Sequence, residues 1–383
     1  MTKIIIPLLL PLFLFLLVLF SSVSIKAQEN GSSMVSPQVP KEEILEAKVT
    51  KILEEKQIIP LGGKEKQLYQ KLEMFVARGS LERKTIVVEN GNLPITFLQK
   101  YKVGDRLVLT YNKDFQGKDV YYITDYVRRD GLLLLFFVFV IIAVVIAKWR
   151  GFTSLIGMAI SFLVIFKFVL PQISSGKDPI TIAIIGSLIM VPVTFYLSHG
   201  LNKKTTVAII GTIVSLIITG ILANLFVEIT KLTGFASEEA NFLQAFQAGV
   251  INIKGLLLAG IIIGGLGIFD DVTISQAAIV ESIKDASLKI TFVNLYSRAM
   301  KVGHDHIASV VNTLVLVYTG AALPLLILFT NNPRPFSQVI NLEFIAEEIV
   351  RTLVASIGLI LAVPITTLLA ALFFSKDKRQ IKS

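Results

Sequence analysis

The chain has 383 residues, 53% of them hydrophobic, with a formal net charge of +9 and no cysteine; its mean hydropathy is +0.70. That mean excludes an ordinary soluble protein and points to an integral membrane protein; without cysteine, disulfides and cysteine-ligated metals are excluded too. The basic balance does not imply nucleic acid, because much of the Lys and Arg falls in short loops, where membrane proteins use it to set orientation.

Residues 1–27 carry Lys3, an apolar run from Ile4 to Phe20 and then SSVSIKAQ. This is the pattern of a signal peptide or, given the long run and the poor cleavage context before Ala27, of an uncleaved signal anchor. Residues 28–43, polar with several Ser and Pro, read as a linker. Residues 44–128 then alternate in AKVTKILEEK, KLEMFVARGS, KTIVVENGN, RLVLTYNKD and VYYITDYVR, with turn signals between several of them. Five or six short strands predict a small extracytoplasmic all-β domain, an OB-like barrel. It holds no catalytic cluster, so it serves as a ligand-binding barrel or as a stabilising or docking cap.

From Gly131 onward come about seven apolar segments, near 131–148, 152–171, 179–198, 205–227, 248–271, 307–329 and 346–374. Each can cross ~30 Å of hydrocarbon at about 1.5 Å per residue. The expected fold is therefore a membrane all-α bundle of about seven transmembrane helices over 131–375, preceded by the β domain and followed by a basic cytoplasmic tail, 376–383. Lys148 and Arg150, Lys203 and Lys204, and the final KDKRQIKS fall on one side, while GFASEEANF and NLEFIAEE fall on the other. The positive-inside rule then puts the β domain outside and the C-terminus in the cytoplasm. Lys167 and Lys254 lie near outer ends, where they snorkel.

The stretch from Gly260 to Thr313 holds most of the glycines and carboxylates found inside apolar sequence. Ionisable groups at membrane depth are costly and mark function by default. Gly260, Gly264, Gly267, Asp271, Ser275 and Ala278 recur at helical spacing, so the helix is expected to continue past the acids. Asp270, Thr273, Ala277 and Glu281 share the adjacent face. A small-residue stripe permits close packing in lipid, and Gly320 and Pro324 are assigned the same packing role further on. Leu288, Phe292, Leu295, Ala299 and Val302 form an apolar stripe read as an in-plane connector. Asp305, Ser309 and Asn312 then fall on one edge of the next helix, with His306 and Thr313 just beside them. The expectation is a hairpin whose hydrophilic seam faces inward.

Three chemistries fit such a seam. In the first, Asp270 and Asp271 hold a proton or cation, since adjacent carboxylates cannot both ionise cheaply. Thr273, Ser275, Gln276, Asp305, Ser309, Asn312 and Thr313 support them, which suits a transporter or a proton- or cation-coupled protein. In the second, His304, His306 and His199 join the aspartates in a zinc or manganese site; no HExxH is present, and an enzyme is not expected. In the third, the seam glues helices in a non-transporting scaffold or regulator. No cofactor is required beyond a bound cation, and the partners expected are the bilayer and a small ion or other solute, with a homo-oligomer left open.

DDVTISQA, GHDHIASVVNTLVLVYTGAALPLLILF and the preceding signal-plus-barrel arrangement resemble the YibE/F family of bacterial multi-pass membrane proteins over about 44–375. The resemblance implies a bacterial cell-membrane location and suggests transport without fixing an activity. The acid-bearing helix, polar link and Ser/Asn/Thr-faced helix are also similar to half of a resistance–nodulation–division bundle, as in SecD/SecF. That likeness implies a proton-relay acid at Asp270 or Asp271. The β domain, placed before the first helix, departs from that plan.

Overall fold

The computed structural model describes residues 42–376 except 61, 63–64, 95–97, 115, 247–248 and 332–333. The expected signal segment, most of the linker and the tail beyond 376 lie outside the described residues. Two compact units divide at Ile142/Ala143.

The first unit is an antiparallel sheet of β1 (Glu43–Ile58), β2 (Gln67–Arg78), β3 (Thr85–Asn90), β4 (Arg106–Lys113) and β5 (Asp119–Tyr126), in the order β3-β2-β1-β4-β5. Alternation puts Leu45, Ala47, Val49, Leu72, Met74, Val76, Val88, Leu107 and Leu109 on one face, where they form the core. The long β1 pairs with β4 through its first half and with β2 through most of its length, with register shifts at Glu46/Ala47, Val49/Lys51 and Ile52/Glu54. Such bulges bend a strand and curl its sheet, and β3 and β5 approach each other. The buried Gln70 side chain accepts from Tyr101 N (2.9 Å) and donates to Tyr101 O (3.0 Å), fixing the segment before β4 to the sheet. Tyr111 donates to Asp119 at 2.8 Å, and this bond pushes its phenol up to about 12. Leu72 is fully buried, so Leu72→Ala is expected to destabilise this unit by about 2–5 kcal/mol, read as a fall in its thermal midpoint by far-ultraviolet circular dichroism. Arg129 bonds Glu46 at 2.5 Å, and Arg106 pairs with Asp130, so the first helical turn is tied to β1 and β4.

The helices are α1 (Arg129–Val164), which passes through a π-type turn (Ile165–Val169) into α2 (Leu170–Ser174), α3 (Pro179–His199), α4 (Lys203–Ile229), α5 (Glu238–Phe246), α6 (Ile253–Ala286), α7 (Phe292–Ala321), α8 (Leu323–Thr330), α9 (Phe336–Val339) and α10 (Glu343–Ser375). Among the described residues five helices are long and apolar enough to cross a membrane, or six if α7 and α8, bent by 74°, count as one span. This differs from the seven expected. Segments 131–148 and 152–171 run as one 46-residue helical stretch, broken where Lys148 takes φ 53° and ψ −130°. A single rod of that length would reach roughly 69 Å, about twice the hydrocarbon core.

In the second unit α4, α6 and α10 pack mutually at the centre, α3 lies against α6 and α4, and α7 against α10 and α6. The expected in-plane connector is corrected: it is the first half of α7, continuous with the span that follows. Leu295 and Ala299 are buried with Val207, Val280 and Phe374 rather than turned toward lipid. Helix starts are capped by Asn202 on Thr205 N (2.9 Å), Asn252 on Gly255 N (3.0 Å) and Asp178 on Thr181 N (2.8 Å). The Thr181 hydroxyl, then its amide, hold the Asp178 carboxyl below the ordinary carboxylate range. A folded value below the unfolded one adds stability that is present above about pH 4 and lost as pH falls through the lower folded value. Asp178→Ala is expected to cost about 1 kcal/mol at neutral pH, the gap from wild type closing in acid, as thermal unfolding in detergent at both pH values would record.

Candidate functional site

α6 continues four turns past Asp270, as the spacing requires. Its large residues, among them Leu258, Ile262, Phe269 and Val272, are buried. The small-residue stripe therefore turns outward: Gly260, Gly264, Gly267 and Asp271 are exposed and Ser275 partly so. A Cβ at Gly260, Gly264, Gly267 or Gly320 would meet no described atom within 4 Å, which corrects the packing role expected of them. Pro324 is exposed near the start of α8, where the chain has just bent.

Asp270, one residue and ~100° round the helix from Asp271, faces α3. It lines a cavity of ≈ 290 Å³ with Ser154 and Ser161 of α1, Thr194 and Ser198 of α3, and Gly267. Gly157 of α1 faces α3 here, with Thr194 Cα at 3.6 Å and Ser198 Oγ at 3.7 Å from where its Cβ would be, an ordinary contact distance. Asp270 Oδ1 is buried without a hydrogen-bond partner. His199 Nε2, at the end of α3, stands 4.0 Å from it, too far for a direct hydrogen bond but within range of electrostatic attraction. The aspartate's neighbours thus come from α1 and α3 and not from α7, the partner that the hairpin reading required.

Thr273 and Gln276 belong to a different, buried seam. Thr273 Oγ1 meets Thr212 Oγ1 at 2.7 Å, and Gln276 Nε2 donates to Ala299 O (3.1 Å) and Thr367 Oγ1 (2.8 Å), all buried. Close approach is supplied by other glycines. A Cβ at Gly211 would collide with Thr366, one at Gly358 with Thr219, and one at Gly303 would lie 2.7 Å from Val363. Sequence periodicity did not single these out.

Asp305, Ser309, Asn312 and Thr313 are exposed on α7, where Thr313 Oγ1 donates to Ser309 O at 3.0 Å. His304 is exposed too, while His306 is half-buried beside a small void with Val272, Ile307 and Val310. The three histidines do not converge, and no three His, Cys, Asp or Glu side chains form a metal-sized group among the described residues. The metal cluster is thereby corrected: helical spacing brought His304 and His306 near in sequence but aimed them apart. What sequence reasoning missed is the far wall of the cleft. Ser154 and Ser161 stand two turns apart, and Thr194 and Ser198 one turn apart directly before His199; that spacing was the available signal.

No curated protein and no solved structure matches the chain. The family model described as YibE/F-like protein matches residues 135–376, a stretch that begins after the β-sheet and takes in both walls of the cleft. The chain belongs to the YibE/F-like family, and with its long apolar helices it is a membrane protein.

Proposed function

We propose that the protein is a transporter coupled to protons or a monovalent cation, with Asp270 as the carrier. The observation that supports this is the buried, unpartnered Oδ1 of Asp270 beside a cleft whose walls mix the hydroxyls of Ser154, Ser161, Thr194 and Ser198 with apolar side chains such as Met158, Met190 and Phe195. An unpaired carboxylate oxygen in such a place is satisfied by a proton or a cation. A single acid among neutral hydroxyls suits one positive charge, whereas divalent ions call for more carboxylates. His199 gives a proton a second resting place near Asp270. Asp271 is exposed and lies outside the cleft.

The same reading splits the long first helix at Lys148 and counts the bent α7–α8 pair as one span, giving about seven crossings with the β domain outside. The strand order, with β3 near β5, supports an OB-like barrel. A non-transporting scaffold is the second reading, favoured by the hydroxyl seam of Thr212, Thr273, Gln276 and Thr367. Vesicles containing the purified protein, under imposed proton and then sodium and potassium gradients, separate the two. Dissipation of at least one gradient above protein-free vesicles is expected; no flux with any of them overturns the transport reading.

A further inference from the structure

A second set of ionisable side chains stands inside the long apolar helix α10, away from the cleft. Glu347 is buried, with 8% of the residue exposed. Its Oε1 accepts from Arg351 Nη2 at 2.6 Å, and Arg351 Nη1 donates to Glu348 at 2.8 Å. Its Oε2 is buried and has no hydrogen-bond partner among the described residues. One turn earlier, Glu343 Oε1 accepts from the amide and the hydroxyl of Thr233, each at 2.6 Å, and from the amide of Gly234 at 3.1 Å. Those three donors, with the positive end of the helix, hold Glu343 as an anion.

The charges here do not balance. Three carboxylates are served by one guanidinium, and the one ion pair of Glu347 among the described residues is with Arg351. The cations of neighbouring elements act elsewhere: Lys254 of α6 pairs with Glu228 of α4 at 2.5 Å, and Lys231 stands beside the same acid. From α7, Tyr318 brings a neutral phenol toward Arg351 and Glu348. Carboxylates this close cannot all ionise cheaply, and the one most withdrawn from water takes the proton. That one is Glu347. A proton needs no shell of ligands, whereas a metal cation in the same place would be repelled by Arg351.

We propose that Glu347 is a second proton-binding site, its proton carried on Oε2. Helices α10 and α6 run side by side in the same direction, with Gly358 against Phe269 and Thr367 bonded to Gln276 at 2.8 Å. Glu347 therefore lies about 18 Å from Asp270 along the bundle, toward its opposite end. On the transport reading above, the two acids are stations at either end of one proton's passage. That role rests on the transport reading; the proton on Glu347 does not.

Infrared spectra of the full chain, reconstituted in lipid at neutral pH, test the site, because a protonated carboxyl and a carboxylate absorb in separate bands. A protonated-carboxyl band that shifts when glutamate side-chain carboxyls are isotope-labelled is expected; the label leaves Asp270 unmarked. Glu347→Gln should remove that band. Glu347→Asp, the milder change, should keep a protonated band that the label no longer moves. A wild type with no glutamate-derived band, its Glu347 ionised and merely hydrated, overturns the proposal. So does a labelled band that persists in either folded variant. In vesicles under a proton gradient, Glu347→Gln should also bring flux down to background. Undiminished flux overturns its role as a station, and absence of flux in the wild type overturns the transport reading alone.

Discussion

Asp270→Asn is expected to bring proton- or cation-coupled flux in vesicles down to background, with insertion and thermal unfolding unchanged. The two side chains have nearly the same shape, and Asp270 Oδ1 makes no hydrogen bond that the substitution would remove. What disappears is the ability to carry charge or a proton. Asp271→Asn should retain at least about half of the wild-type rate, because that side chain is exposed and does not line the cleft. His199→Gln should fall between the two, having lost a titratable neighbour 4.0 Å from the acid. Initial rates of gradient collapse measure all three. If Asp271→Asn stops flux and Asp270→Asn does not, the functional surface is the outer face of α6 and the cleft is not the site.

The second large effect is expected in the packing of the bundle. Gly358 of α10 sits against Thr219 of α4, with Phe269 of α6 at 2.9 Å from where a Cβ would be. Neither neighbour has room to yield. Thr219 is fully buried and donates to Ser215 O at 2.8 Å, and Phe269 is fully buried as well. Gly358→Ala should destabilise the fold by about 1–3 kcal/mol, the usual range for overpacking, and Gly358→Leu should fail to accumulate as folded protein. Gly264→Ala is the control. Its Cβ would enter open space, and alanine's better helix propensity is worth up to about 1 kcal/mol. Thermal or denaturant unfolding in detergent should separate the two alanine variants clearly; similar midpoints would mean that α4, α6 and α10 do not meet as described.

The β strands could be read from sequence because alternation leaves little choice of face: Leu45, Ala47 and Val49 can only be core if Ile44 and Lys48 are not. The persistence of α6 beyond Asp270 was legible for a similar reason, since a helical repeat that runs on implies a helix that runs on. The direction of its faces was not. Spacing puts Asp271 on the glycine stripe but is silent on whether that stripe meets a neighbour, and here bulk decides it: Ile262, Phe269 and Val272 fill the interior and the glycines are left outside. The partner of Asp270 could not be found locally because His199 is 71 positions away on α3. Leu295 and Ala299 illustrate a further ambiguity. The same amphipathic pattern serves a helix lying in the membrane surface and one packed on Phe374, so the period alone could not choose between them.

The π-type turn at Ile165–Val169 borders the cleft through Ile165. Wide turns of this kind carry one residue more than the α-helix needs and recur at functional sites. Slack of that sort can migrate: handing the surplus residue along the backbone would swing the hydroxyls of Ser154 and Ser161 round their axis relative to a stationary aspartate. A change of winding there would re-aim the wall facing Asp270 with no helix having to leave its place.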